Sequence, residues 1–392
     1  MVESLAEYVP QSLAMILAAL AAAGLVFGFI GTSTFLFIWA ERKISGRIQD
    51  RLGPTRVGKF GLLQSLADGI KLVTKEDFVP TGADRLLFRI APYVAFCASF
   101  AGFIALPFAE GVVAQPLNVG AFFLLAVLSS EVFGVLLAGY SSANKWSLFG
   151  GVREAAQVVS YEVPRSLCVL VPICIAGTLN LNTIARQQEG WFWNWYVFHD
   201  PFTFLAFVIF FIVATASCKR APFDLAEAES ELVAGFLTEY SGMRWSYFFL
   251  AEYASMFAVS GLASLLFLGG WHTGLLPFEP AERFGPLFGN LVDVGVFITK
   301  GSLLVLVMMW MRWSLPRLRI DQVMLTCLKY FLPISCGLLI GVCVWQLYMP
   351  KVLAEGVRVV LAVGFVVAAI VVVLSAARLK PSPQLSGAFT KP

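Results

Sequence analysis

Apolar residues run along this chain in blocks of roughly 20, the length that crosses a hydrocarbon layer as a helix. Nine such blocks stand out, at about 14–38, 89–108, 117–140, 158–178, 203–218, 246–269, 289–311, 329–349 and 357–378. The fifth is the shortest. Polar stretches at about 39–89, 141–157, 219–245 and 312–329 separate alternate blocks. The pattern predicts an all-α polytopic membrane protein with about nine transmembrane helices, forming one integral membrane domain over 1–392. The first block lacks a basic leader and a small-residue cleavage site, so it reads as a retained span.

The basic residues set the orientation. If the loop after the first span is cytoplasmic, the four stretches above and the tail after 377 hold 22 of the 28 Lys and Arg. The opposite side holds only Arg186, Arg283, Lys351 and Arg358, and Arg165 and Lys300 lie within spans. Basic residues favour the cytoplasmic side, which predicts an outside N-terminus and a cytoplasmic C-terminus. His199, His272 and the aromatic run 191–198 then fall outside, where the aromatics read as an interfacial belt.

Not every polar stretch is a simple loop. In the first, Gly53, Pro54 and Gly58 signal a turn. After it Gln64, Asp68, Lys71 and Lys75 recur at helical spacing, while Leu62, Leu63, Leu66, Ile70 and Val73 fill another face. An amphipathic helix this short and charged lies along a membrane interface rather than across it. It would serve as an anchor, or as a doorway for an apolar ligand and a docking face for a soluble partner. In the second stretch, Pro164 is expected in the first turn of the fourth span, where its missing N–H costs nothing.

Composition supports the membrane reading and removes several chemistries. The 392 residues are 58% hydrophobic and 14% charged, with a mean hydropathy of +0.79. Soluble domains are about 25% charged. The seven cysteines include no CxxC pair, and there are only two histidines. No spacing suited to zinc, haem or an iron–sulfur cluster occurs, so no redox cofactor is expected in this chain. The cysteines read as small packing residues.

The informative residues are ionisable groups inside or beside spans. Glu131, Glu162, Glu252, Asp293 and Lys300 fall within apolar blocks, where a charge costs about 2.5–3.5 kcal/mol at a helix centre on insertion scales. Asp293 and Lys300 are seven apart, on one helix face. The segment KRAPFDLAEAESELVAGFLTEYSGM at 219–243 adds Asp224, Glu227, Glu229, Glu231 and Glu239. If Pro222 starts a helix, Asp224, Glu227 and Glu231 share one face and Glu229 turns toward Leu225, Ala228, Leu232 and Phe236. A carboxylate among apolar groups exchanges protons nearer neutrality than a solvated one. The plainer alternative is a solvated acidic face neutralised by Lys219, Arg220 and Arg244.

Two long motifs carry a family resemblance. ERKISGRIQDRLGPTRVGKFGLLQSLADGIKLVTKE at 41–76 and APFDLAEAESELVAGFLTEYSGM at 221–243 resemble the two signature segments of the H-subunit family of respiratory complex I. GGVREAAQVVSYEV at 150–163, FLAEY at 249–253 and MRWSLPRLRIDQVM at 311–324 match in the same order. The resemblance covers about residues 10–350. It implies a membrane subunit of proton-translocating NADH:quinone oxidoreductase that walls the membrane part of the quinone chamber. Flavin and iron–sulfur clusters would sit in partner subunits, with quinone bound at the subunit interface and none of these held by this chain alone. Expected partners are the peripheral quinone-site subunits, small membrane subunits, quinone and lipid, with no nucleic acid. The implied quinone-chamber residues are Arg42, Arg51 and Asp68. The implied proton path uses Glu131, Glu162, Asp224, Glu227, Glu229, Glu231, Glu239 and Glu252.

Three features depart from the family's pattern. Ser217 stands in a stretch, Ala216-Ser217-Cys218-Lys219-Arg220, where the family usually has Ala-Glu-Thr-Asn-Arg. Glu154 stands where a small neutral residue is usual, so Glu154 or an ordered water is expected to supply the acid missing at 217. The block at 357–378 is a ninth span beyond the eight of the mitochondrial form, which favours a bacterial inner membrane; its lack of buried charge suggests packing or lipid contact. Two other readings remain: the equivalent subunit of a membrane-bound hydrogenase or formate hydrogenlyase, and a stand-alone ion transporter.

Overall fold

The hydrophobic blocks become helices that pack around one long buried helix. The computed structural model describes residues 11–275 and 285–378. Its helices are α1 (Gln11–Ile48), α2 (Gln64–Thr74), α3 (Arg85–Gly102), α4 (Gly120–Ser129), α5 (Glu131–Ser141), α6 (Lys145–Ala176), α7 (Leu181–Arg186) and α8 (Pro201–Ser217). They continue as α9 (Glu229–Leu232), α10 (Gly242–Phe267), α11 (Pro286–Ser314), α12 (Ile320–Leu325), α13 (Leu332–Tyr348) and α14 (Lys351–Arg378). Among the described residues, six stretches are long and apolar enough to cross a membrane: Met15–Ile48, Gly120–Ser141, Lys145–Ala176, Gly242–Phe267, Phe288–Ser314 and Ile320–Tyr348. Pro201–Ser217 is a shorter apolar helix. The blocks at 89–108 and 357–378 are also helical, as α3 and α14.

Packing separates inner helices from outer ones. α10 is buried along nearly its whole length, whereas α1 exposes Leu20, Leu25 and Phe27. Phe257 of α10 gathers Phe29, Phe37, Phe103, Phe108 and Phe297 around it, from α1, α11 and the region of α3. Aromatic rings at such separations contribute about 0.5–1.5 kcal/mol a pair beyond their buried area. Exposed apolar faces of this extent are ordinary where lipid or other subunits replace water.

Several boundaries differ from the sequence expectation. The stretch 141–157 is not a loop, because α6 begins at Lys145 and continues unbroken for 32 residues. Asn144 caps it by accepting from the Trp146 N–H, and Gly177, in the left-handed region, ends it. Gly150, Gly151 and the charges at 153–154 look loop-like, but Gly150 lies against the backbone of Ala226 and Phe236 and Gly151 against α5. Pro164 therefore lies well inside α6 rather than in a first turn. Membrane helices tolerate such a proline because neighbouring groups re-satisfy the freed carbonyl. Within 39–89, α1 runs on to Ile48 and the amphipathic helix appears as α2. In 312–329, α12 leads through a π-helical turn, Thr326–Phe331, into α13.

The aromatic run at 191–198 is only partly an exposed belt. Trp191 is exposed, but Tyr196, Val197 and Phe198 enter the core. Phe198 also meets Phe365 of α14, with ring centroids 5.5 Å apart.

Candidate functional site

The segment after α8 does not form a helix at Pro222. Its backbone is instead used by its neighbours. Gln157 of α6 donates through Nε2 to the Ala216 and Phe223 carbonyls at 3.0 and 2.9 Å. The Leu318 N–H donates to the Pro222 carbonyl at 3.1 Å, and Arg317 donates to the carbonyl of Asp224. These tertiary bonds outweigh the local helical preference, so the expected common face of Asp224, Glu227 and Glu231 does not exist. Only the short α9, Glu229–Leu232, and a 3-10 turn at Gly235–Leu237 are helical, and the side chain of Glu229 lies outside the described residues. Gly150 lets the segment approach α6. A Cβ there would lie 2.6 Å from Phe236 N and 2.8 Å from the Ala226 carbonyl oxygen.

This loop delivers two adjacent cations into the helix bundle. Arg220 is 2% exposed. Its Nη1 donates to both carboxylate oxygens of Glu41 at 3.0 Å, and its Nε lies 2.5 Å from Glu252. Glu41 also accepts from Arg312 at 2.8 Å and from the Tyr253 hydroxyl at 2.5 Å. The Arg220 guanidinium sits 4.4 Å over the Tyr253 ring. Two carboxylates and two guanidinium groups from α1, α10, α11 and the loop thus meet in one buried cluster. Arginine suits the position because its planar fork serves several acceptors at once. Lys219 turns the other way and donates to Glu131 of α5 at 2.5 Å.

The remaining predicted acids are spread around this core. Glu162 accepts from Arg165 at 2.6 Å and from Ser129 at 2.5 Å. Glu231 pairs with Arg153 at 2.5 Å, Asp224 lies 3.8 Å from Arg317, and Glu239 accepts from Asn144 at 2.7 Å. Glu227 has no ion-pair partner within 4.0 Å among the described residues. Burial pushes its carboxyl up to about 7, and the Asp224 charge adds to the shift against Arg220 and Lys219. Such a group exchanges protons around neutral pH.

Beside the cluster lies a largely apolar cavity of about 450 Å³. α1 supplies Phe35, Ile38 and Arg42; α2 supplies Leu66, Asp68 and Ile70; α10 supplies Trp245 and Phe249. Arg42 forms an ion pair with Asp68, which also lies 3.5 Å from Lys71. Burial works to raise the Asp68 carboxyl, but the hydrogen bond and charge of Arg42, with the Lys71 charge, hold it below the usual carboxylate value. Arg51 is not among the residues lining the cavity. It is exposed and donates to Gln49 at 2.7 Å.

Cavity and cluster share walls. Glu41 lies between the cavity residues Ile38 and Arg42 in α1, and Glu252 and Tyr253 follow Phe249 and Leu250 in α10. Sequence reasoning does not find Glu41, Arg220, Tyr253 and Arg312 as a unit. Glu41 and Arg220 are visible there only as charges at the ends of apolar blocks, with nothing local to connect them.

Comparison with known proteins decides the family. The NADH dehydrogenase family matches residues 20–343. The chain belongs to the H-subunit family of NADH-quinone oxidoreductase. The NADH-quinone oxidoreductase H subunits of Chlorobium luteolum, Anaeromyxobacter dehalogenans and Chlorobaculum tepidum are 44%, 45% and 47% identical to it. The matches cover 89%, 80% and 79% of this chain and 94%, 78% and 86% of theirs. Membership makes the chain a membrane component of an oxidoreductase complex, with the other subunits of that complex as its partners.

Asp293 and Lys300, predicted to share a face of one helix, both lie on α11, and among the described residues no ion pair joins them. Lys300 donates to the carbonyls of Leu268 and His272, each at 2.6 Å, and sits 4.1 Å over the Trp195 ring. Its ammonium therefore closes the end of α10. Among the described residues no group of acids, cysteines and histidines is arranged to hold a metal ion.

Proposed function

We propose that this chain forms the membrane wall of a quinone chamber and couples quinone reduction to proton translocation through its buried acids. The observation carrying this reading is the shared wall between the apolar cavity and the Glu41–Arg220–Glu252 cluster. An isoprenoid-type tail suits a cavity lined by Phe35, Ile38, Leu66, Ile70, Trp245 and Phe249. The Arg42–Asp68 pair supplies polarity at one rim. Two-electron reduction of a quinone consumes two protons, so the charge beside the cavity changes with each turnover.

That change acts on a cluster whose charges nearly balance. A shift of Arg220 away from Glu252 leaves that carboxylate without its cation, while Glu41 keeps Arg312. Glu227 and Asp224 lie next along the same loop, then Glu239 and Glu231, with Glu131 and Glu162 on the other side of Lys219. The cluster relays charge; protons enter and leave at carboxylates that lack a permanent cation. Electrons arrive through flavin and iron–sulfur clusters in the partner subunits, and the peripheral quinone-site subunits close the chamber. The setting is a bacterial inner membrane, with basic loops on the cytoplasmic side.

The chamber assignment is tested with a photoreactive quinone bearing an apolar tail, applied to the whole complex in membranes. Labelling of α2 and α10 residues such as Leu66 and Trp245, suppressed by unlabelled quinone, supports it. Labelling elsewhere in the complex, with α2 and α10 unmarked, contradicts it.

A further inference from the structure

Glu154 is fully enclosed, and neither of its carboxylate oxygens has a hydrogen-bond partner among the described residues. Its buried neighbours are treated differently: Glu41, Glu131 and Glu252 each face a cation. Leaving a charged group without such help is among the most costly arrangements in a protein interior. Glu154 shares a face of α6 with Gly150 and Gln157, one turn to either side. Gly150 lies against the backbone of Ala226 and Phe236, and Gln157 binds the carbonyls of Ala216 and Phe223. These contacts bracket Glu154 with the acidic loop. The charges acting on it come from Lys219 first, then Glu131, Asp224 and Glu252.

We infer that Glu154 is a proton-exchanging carboxylate of the coupling path, with Lys219 as the cation that moves between Glu131 and Glu154. The inference rests on the coupling function proposed above. With Lys219 on Glu131, as observed, Glu154 carries a proton and needs no cation. When Lys219 turns to Glu154, Glu154 releases that proton and Glu131, now unpaired, takes one up. One O–H bond breaks on Glu154 and one forms on Glu131. The ammonium keeps its charge and no electrons move. The π-face of Phe236, 5.9 Å from the Lys219 ammonium, borders the path of that swing.

The test uses the assembled complex in proteoliposomes, with NADH oxidation by a soluble artificial acceptor as a check on assembly. Glu154→Gln is expected to lower coupled proton translocation by roughly a hundredfold, the lower end of what a positioned acid or base contributes. It should also remove a carboxylic-acid carbonyl band from the infrared difference spectrum of quinone turnover. Glu154→Asp should keep translocation and shift that band. If Glu154→Gln does not assemble, the band shift in Glu154→Asp decides. Unchanged translocation in an assembled Glu154→Gln complex, or a band unmoved in Glu154→Asp, overturns the inference. Glu227→Gln and Glu252→Gln run alongside. If they lose coupling while Glu154→Gln keeps it, only the role of Glu154 fails. If all three stay coupled, the coupling function fails with it.

Discussion

Arg220 and Glu41, 179 residues apart in sequence, are joined by two 3.0 Å hydrogen bonds from one guanidinium nitrogen to both carboxylate oxygens. Both side chains are buried, and Arg220 also serves Glu252. Removing one partner of a buried pair leaves an uncompensated charge, at a cost of about 3–5 kcal/mol. Arg220→Met is therefore expected to lower the amount of assembled complex sharply, measured by native gel and thermal unfolding. Glu252→Gln should be milder, because Arg220 keeps both hydrogen bonds to Glu41, which it then shares with Arg312.

The Arg42–Asp68 pair is half-exposed and predicts a different separation of effects. An exposed pair contributes only about 0–1 kcal/mol to stability. Asp68→Asn should leave assembly intact. It removes the negative charge that holds Arg42 at the cavity rim, so KM for a short-chain quinone should rise by roughly tenfold, the worth of one charge-assisted hydrogen bond. Steady-state kinetics with varied quinone checks this. Arg51→Gln, away from the cavity lining, should change KM little.

Glu227 gives a pH signature. Its carboxyl sits at about 7 in the folded chain against 4.5 for the free group, so between those values the folded state holds more protons than the unfolded one. Its contribution to stability is therefore greatest below about pH 4.5 and falls as pH rises through 7. Glu227→Gln should flatten that part of the pH dependence of thermal stability. The same variant should lose any limb near neutrality in the pH profile of coupled turnover.

His272 predicts the opposite sign. Burial, with the charge of Lys300 adding, lowers its imidazole to about 4 from 6.5. The folded state then disfavours the protonated ring, so stability is lost as pH falls from about 6.5 toward 4. His272→Gln should reduce that acid sensitivity, read by thermal unfolding across the range.

Gly150 tests the contact between α6 and the acidic loop. A Cβ at this position would press on three backbone atoms at 2.6–2.9 Å, none of which can rotate away. Overpacking of this kind costs about 1–3 kcal/mol. Gly150→Ala should reduce both assembly and coupled turnover. Gly24→Ala, where nothing lies within 4 Å of the added carbon, is the control and should be neutral or slightly stabilising.

The helices are largely legible in the sequence because apolar length and 3.6-residue spacing are local properties. α2 emerges from the alternation of Leu66 and Ile70 with Asp68 and Lys71. The site is legible only in part. Arg42 and Asp68 meet across 26 residues, but Lys219 reaches Glu131 across 88 and Arg220 reaches Glu41 across 179. No periodicity reports such pairings. The loop after α8 looks helical in sequence and is not, for a related reason: its carbonyls are claimed by Gln157, Leu318 and Arg317 from distant elements. The start of α6 is hidden because Gly150 and Glu154 look like loop residues until the segment that covers them is known.

The central claim is that charge changes beside the cavity reach protons through the Glu41–Arg220–Glu252 cluster. The most direct measurement is the ratio of protons moved to electrons passed in proteoliposomes holding the whole complex with Glu252→Gln. The account predicts a clear fall in that ratio while NADH oxidation by an artificial acceptor is retained. An unchanged ratio in the assembled variant contradicts it.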